Sequence, residues 1–233
     1  MSQPELTRLR AALVAPTALN WVMTGDSITH GLVHTKGGRS YVEHVHELIR
    51  GEIPRLRDVV INTAISGHRI PQILDDFERR VAQWNPDVVT IMIGTNDCST
   101  GGVFPIIEPE EFGASLVDFV GRVRELGAVP ILITPPPVDA ARAPERARVW
   151  DFSAEIHRVA SDSDVILVDV LNAFEHVGGG QFPSGLMNDA FHPNSAGHAA
   201  IAVEVARALS ISPECSRTLP LLNAEVAAAT LVR

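Results

Sequence analysis

Scarcity narrows the reading of this 233-residue chain before any motif does. Its only cysteines are Cys98 and Cys215, too few for a disulfide framework, so a reducing compartment is expected and the cytoplasm is the default location. Aromatic residues make up 5% of the chain, which argues against a long lipid-binding groove, because an extended acyl chain needs a sizeable apolar channel. Long apolar runs are missing too. The stretches 88–93 and 199–205 fall well short of the roughly 20 residues that span a bilayer, so no membrane partner is expected. The first residues lack a basic start followed by an unbroken apolar run and do not read as a signal peptide. Positive charge is both outnumbered and scattered: 19 Lys and Arg face 28 Asp and Glu, a net charge of -9, which disfavours a nucleic-acid partner. Neither G-x-x-x-x-G-K-[ST] nor G-x-G-x-x-G occurs, so no nucleotide cofactor is implied.

What is present suffices for a sizeable core, since 45% of the residues are hydrophobic. Short β-branched runs begin at Trp21, Asp58, Asp87, Val129 and Asp164 and read as buried parallel strands. Between them, 41–52, 71–84, 110–127 and 145–162 carry apolar residues at helical spacing, and a last helix is expected from about Asn194 to Leu209. Parallel neighbours require crossovers, so the expected fold is a three-layer α/β/α sandwich, flavodoxin-like, around a parallel sheet of about five strands. One domain should cover 1–233, with an N-terminal arm at 1–18 and a C-terminal tail at 211–233. That tail has a proline break and then an apolar segment suited to docking on the body or on a second copy, which leaves a homo-oligomer open.

In such a sheet, active groups gather at the carboxyl ends of strands. Four polar or Gly/Pro-rich turns fall there: GDSIT after the first strand, AISGH after the second, GTND after the third and PPPV after the fourth. The G-x-S-x-G elbow is absent, because Ser27 is followed by Ile28 and Thr29. Together, GDSIT at 25–29, NTAISG at 62–67, GTND at 94–97 and DAFHPNSAGH at 189–198 resemble the SGNH hydrolases, the GDSL esterases and lipases. The resemblance implies Ser27 as nucleophile, His192 as base, Asp189 as the residue orienting it, and an oxyanion hole of Ser27, Gly67 and Asn96. The chemistry fits those residue types. A serine on the turn after the first strand can present its hydroxyl and its own N–H to one substrate, Gly67 can bring its backbone close, and Asn96 can offer an amide N–H. Asp189 and His192 can meet across one turn, leaving Nε2 free to take the serine proton. Two departures stand out: Ala64 occupies a position where many relatives have glycine, and His68 follows Gly67 where an acidic residue is common.

Plainer readings suit the neighbours. Asp26 and Asp97 are expected to hydrogen-bond within their turns, Asn62 to tie loops together, His198 to be a helix residue, and Asn194 or Ser195 to start the last helix. Cys98 reads as a small buried hydrophobe. Nine histidines raise the question of a metal, yet His30 with His34 lacks the H-E-x-x-H glutamate and His44 with His46 diverges on a helix, so no metal and no other cofactor is expected. The expected reaction is hydrolysis of a short-chain, acetyl-type ester of a small molecule or carbohydrate through an acyl-enzyme. Acyl transfer, lipase or thioesterase activity is the alternative with the same residues. Polar residues at 31–40 suit the alcohol part, and Phe191, Met187 and Trp150 are candidates for crowding a longer acyl chain.

Overall fold

The computed structural model describes residues 4–53, 55–210 and 216–231. The β-branched runs form strands β1 (Asn20–Gly25), β2 (Val59–Asn62), β3 (Val88–Met92), β4 (Val129–Ile133) and β5 (Ile166–Val168). All pair in parallel, in the order β2-β1-β3-β4-β5. β1 is flanked by β2 on one side and β3 on the other, so the chain's direction of travel reverses there and opens a crevice at the strand ends.

Alternation along the strands divides the core. Trp21 and Met23 enter one apolar layer and Val22 the other, as the two-residue period of a sheet covered on both faces requires. The first layer is filled by α3 (Tyr41–Glu47) and α9 (Ser195–Ala208), the second by α6 (Pro109–Glu125) and α7 (Val149–Asp162), whose Phe112 and Phe152 rings pack 4.9 Å apart.

Four segments differ from the sequence expectation. Much of the arm is helix α1 (Pro4–Val14), held by Arg55, whose guanidinium reaches the carbonyls of Leu13, Ala15 and Thr17 while pairing with buried Asp58 at 2.9 Å. The helix expected over 71–84 breaks at Asp76 (φ -112°, ψ 25°) into α4 (Ile70–Asp75) and α5 (Phe77–Arg80). Beyond the break, Arg80 is buried and donates to Thr24 Oγ1, Gly25 O and Thr63 O at 3.0, 2.9 and 3.2 Å, satisfying carbonyls at the strand ends that a surface arginine would not reach. A helix not expected from the pattern, α8 (Val170–Gly178), follows β5 directly, with Asp169 as its N-cap. Finally, the described part of the tail is α10 (Thr218–Leu231), docked on the body through buried Leu219 and Leu222, with Glu52 accepting from the Arg217 and Thr218 N–H groups. Pro213 and Cys215 lie outside the described residues.

Candidate active site

β1 ends in Gly25, where a Cβ would come within 2.3 Å of the Met92 carbonyl, so only glycine lets β1 and β3 run this close at their carboxyl ends. The chain then enters a short helix, α2 (Ser27–His30), whose N-cap Asp26 accepts from the Ile28 N–H at 3.0 Å. Ser27 is thus the first helical residue, with its N–H among those a helix leaves unpaired.

Its hydroxyl lies 2.9 Å from His192 Nε2, and His192 Nδ1 lies 2.9 Å from Asp189 Oδ2. The spacing of three residues works because the 189–192 turn folds around the carboxylate: Asp189 Oδ1 also accepts the N–H groups of Phe191 and His192 at 3.0 and 2.8 Å. Outside bonds pin the same turn, from the Asn188 N–H to His192 O at 2.8 Å and from the Asp139 N–H to Ala190 O at 2.8 Å. Asn194 then caps α9 by accepting from the Gly197 N–H at 3.0 Å.

Charge follows geometry. Partial burial pushes the Asp189 carboxyl up, but the N–H groups of Phe191 and His192 and the imidazole outweigh it and bring it down to about 2. Asp189 is therefore a carboxylate at neutral pH, an acceptor for Nδ1–H. Burial lowers the His192 pKa, Asp189 opposes that, and positive charge at His34 and Arg146 lowers it further; the net direction is down, so the ring is a neutral base at pH 7. Beneath the site, burial lifts the Asp26 and Asp97 carboxyls to about 7 each. Both serve the turns: Asp97 accepts from the Ile70 and Gly94 N–H groups at 2.7 and 3.1 Å.

Gly67 and Asn96 reach the same edge of the sheet. Gly67 sits at φ +80°, a left-handed conformation that favours glycine, and among the described residues its N–H has no hydrogen-bond partner. Its loop is tied to α2 by His30 Nδ1 and Ser66 Oγ at 3.0 Å and by Asn62, which donates to Thr29 O at 2.8 Å. Asn96 commits an Nδ2 hydrogen to His68 O at 3.2 Å, leaving the other for a ligand. His68 itself is engaged by Arg80 at 3.0 Å, and Ala64 is buried.

The structure adds a neighbour that sequence reading did not place here. His34 stacks on His192 with ring centroids 3.5 Å apart and planes 7° from parallel, and its Nδ1 is 3.8 Å from Asp189 Oδ2. It rides a loop in which Val33 takes φ +70°, a conformation a β-branched residue rarely holds, anchored where Ser195 Oγ donates to Thr35 O at 3.0 Å. The only hint in the sequence was a histidine in the segment after Ser27. Phe191 packs at 4.3 Å from the His192 ring centroid, with the Arg146 guanidinium 4.0 Å over the phenyl ring. Met187 is buried and bridges to Pro193, whereas Trp150 is held against Glu175 on α8.

As for metals, one histidine of each pair drawn from the sequence is engaged elsewhere: His30 Nδ1 bonds Ser66 and His46 Nε2 accepts from Arg50. Among the described residues, His34, Asp189 and His192 instead place one ligand atom each within 4.8 Å of one another. His198, on α9, accepts from the Tyr41 N–H at 3.1 Å, and burial pushes it down to about 3, so it stays neutral in a structural role. Burial lifts the Cys98 thiol to about 12, which leaves it an inert packed group.

A five-stranded parallel sheet with these groups at its β1/β3 edge defines the class, a carboxylic ester hydrolase of the SGNH type. The chain belongs to the GDSL-like lipase/acylhydrolase family, whose model matches residues 23–200. It is 30% identical over 192 residues to an acetylxylan esterase of Geobacillus stearothermophilus, covering 76% of this chain and 88% of that one. The crystal structure of Axe2, an acetylxylan esterase from the same organism, matches with a TM-score of 0.72 at 26% identity, covering 84% of this chain and 96% of its own. A second solved structure, LAE5, an α/β hydrolase enzyme from the metagenome of Lake Arreo, Spain, matches with a TM-score of 0.69 at 30% identity over 83% of this chain and 97% of that one. Catalytic mutants of Axe2 replace a serine, an aspartate and a histidine with alanine.

Proposed function

We propose that Ser27, His192 and Asp189 hydrolyse a short-chain carboxylic ester, an acetyl ester above all, through an acyl-enzyme. His192 Nε2 takes the proton as Ser27 Oγ attacks the carbonyl carbon, and Asp189 holds the ring and stabilises the imidazolium that forms. The oxyanion is met by the N–H groups of Ser27 and Gly67 and the Asn96 side chain. The alcohol leaves with the proton from His192, and a water activated by the same imidazole then releases the acid. The observation that carries this reading is the unbroken line from Ser27 Oγ to His192 Nε2 at 2.9 Å and from Nδ1 to Asp189 Oδ2 at 2.9 Å.

A small acyl group is favoured because His34 covers one side of the base and Phe191 packs beside it, while the Ser27 side chain is nearly buried. The acetylxylan esterase relative supports an acetylated carbohydrate or similar small molecule as substrate. The low cysteine count fits activity in the cytoplasm and a single domain over the whole chain completes the proposal. Replacing Ser27 with alanine tests it: p-nitrophenyl acetate turnover should fall by at least about 10⁴-fold with the circular dichroism spectrum and Tm retained, and the wild type alone should show a burst of p-nitrophenol. Full activity in Ser27→Ala overturns the assignment.

A further inference from the structure

A cavity of about 370 Å³ opens beside the 189–192 turn, between the loop after β4, the start of α7 and the loop after α8. Trp150, Glu175, Gln181, Phe182 and Asp139 line it. Trp150 is 37% exposed, a large share for the largest aromatic side chain. Its indole N–H already donates to Glu175 Oε1 at 2.6 Å, so the ring is fixed in orientation and what it has left to offer a ligand is its π-face.

That combination has a chemical preference. The electron-rich face of an indole attracts the weakly positive C–H groups on the flat side of a pyranose ring. Hydroxyl groups around such a ring need acceptors and donors together; the second Glu175 oxygen accepts, and Gln181, whose amide has no partner among the described residues, does both. Carboxylates at Asp139 and Glu175, on a chain of net charge -9, disfavour an anionic ligand. The cavity adjoins the turn that carries the proposed base, because the Asp139 N–H donates to Ala190 O at 2.8 Å and Ala190 is two residues from His192, a Cα–Cα reach of at most about 7 Å.

We propose that this cavity is a saccharide subsite, in which Trp150 stacks on a neutral pyranose residue of an oligosaccharide whose acetylated unit sits at Ser27. The inference rests on the esterase reading and adds the recognition of substrate beyond the ester. It also explains why Trp150, at an exposed position, has its indole held by Glu175.

Two measurements on the full chain test it. The ratio of kcat/KM on acetylated xylotriose to that on p-nitrophenyl acetate should fall about five- to tenfold in Trp150→Ala, through KM, and recover largely in Trp150→Phe. Trp84→Phe, at another exposed tryptophan, should leave the ratio unchanged. Calorimetric titration with unacetylated xylotriose should show binding to the wild type that weakens by the same factor in Trp150→Ala and in Gln181→Ala. An unchanged ratio together with unchanged or absent xylotriose binding overturns the subsite. A folded wild type that hydrolyses neither ester overturns the esterase reading instead, and the titration still decides the subsite because it needs no turnover.

Discussion

His34 lies flat on His192, the two imidazoles 3.5 Å apart between centroids and 7° from parallel. Two like rings this close cannot both carry a proton without strong repulsion, so positive charge at His34 lowers the His192 pKa, and the stacked ring also keeps water off one face of the base. Removing it in His34→Ala undoes both effects, and both act in the same direction: the His192 pKa rises. Because His192 works only when neutral, the acid limb of the kcat/KM profile should move to higher pH, read between about pH 5 and 8. His34→Phe keeps the cover without the charge and should move the limb less. A limb that stays in place or moves to lower pH in His34→Ala contradicts the stacking argument.

Asp189 and Asn96 should fail differently. Asp189→Asn removes the charge that stabilises the imidazolium and disturbs the ring's tautomer, so kcat should fall by about 10²- to 10⁴-fold while remaining measurable above the Ser27→Ala background. Asn96→Ala removes one proposed oxyanion donor, whose side chain makes a single bond among the described residues, to His68 O; kcat should fall by about 10²- to 10³-fold with little change in KM. A loss under tenfold for Asn96→Ala would remove it from the oxyanion hole.

Acyl-chain length reports the room around Ser27. Each methylene that finds apolar protein surface gains about 0.8 kcal/mol, and one that meets only solvent gains nothing. With His34 and Phe191 packed about the base, kcat/KM on p-nitrophenyl esters, measured below their micelle concentrations, should peak at acetyl or butyryl. An optimum at octanoyl or longer would point to a lipase or thioesterase.

Chelation should not matter, whereas added zinc should. No step of the proposed reaction passes through a metal, so exhaustive EDTA treatment is expected to leave hydrolysis unchanged; a loss that zinc or manganese restores would count against the serine mechanism. Excess zinc should inhibit, since His34, Asp189 and His192 offer ligand atoms within 4.8 Å and coordination takes the neutral imidazole that catalysis needs. His34→Ala should blunt that inhibition, measured as a rise in the zinc concentration for half-activity.

Local pattern, read from sequence alone, was enough for the scaffold, and the resemblance carried by four motifs was enough to single out the residues proposed to react. β-branched runs separated by helical periods specify a parallel sheet with little ambiguity, because both faces must be buried. Three motifs at strand ends and a fourth at 189–198, where Asp189 and His192 are separated by the span of one turn, carry the family resemblance that singles out Ser27, Gly67, Asn96, Asp189 and His192. Tertiary structure alone decided what surrounds them. His34 meets His192 across 158 positions of sequence only because a loop with Val33 at positive φ docks on the start of α9, and no period or spacing encodes that contact. Trp150 and Glu175 belong to different helices, and the break at Asp76 serves an arginine whose acceptors, Thr24, Gly25 and Thr63, lie far from it in sequence. Such long-range pairings depend on how elements pack in three dimensions, whereas hydrophobic period, turn chemistry and close spacing are local properties that the order of residues carries by itself.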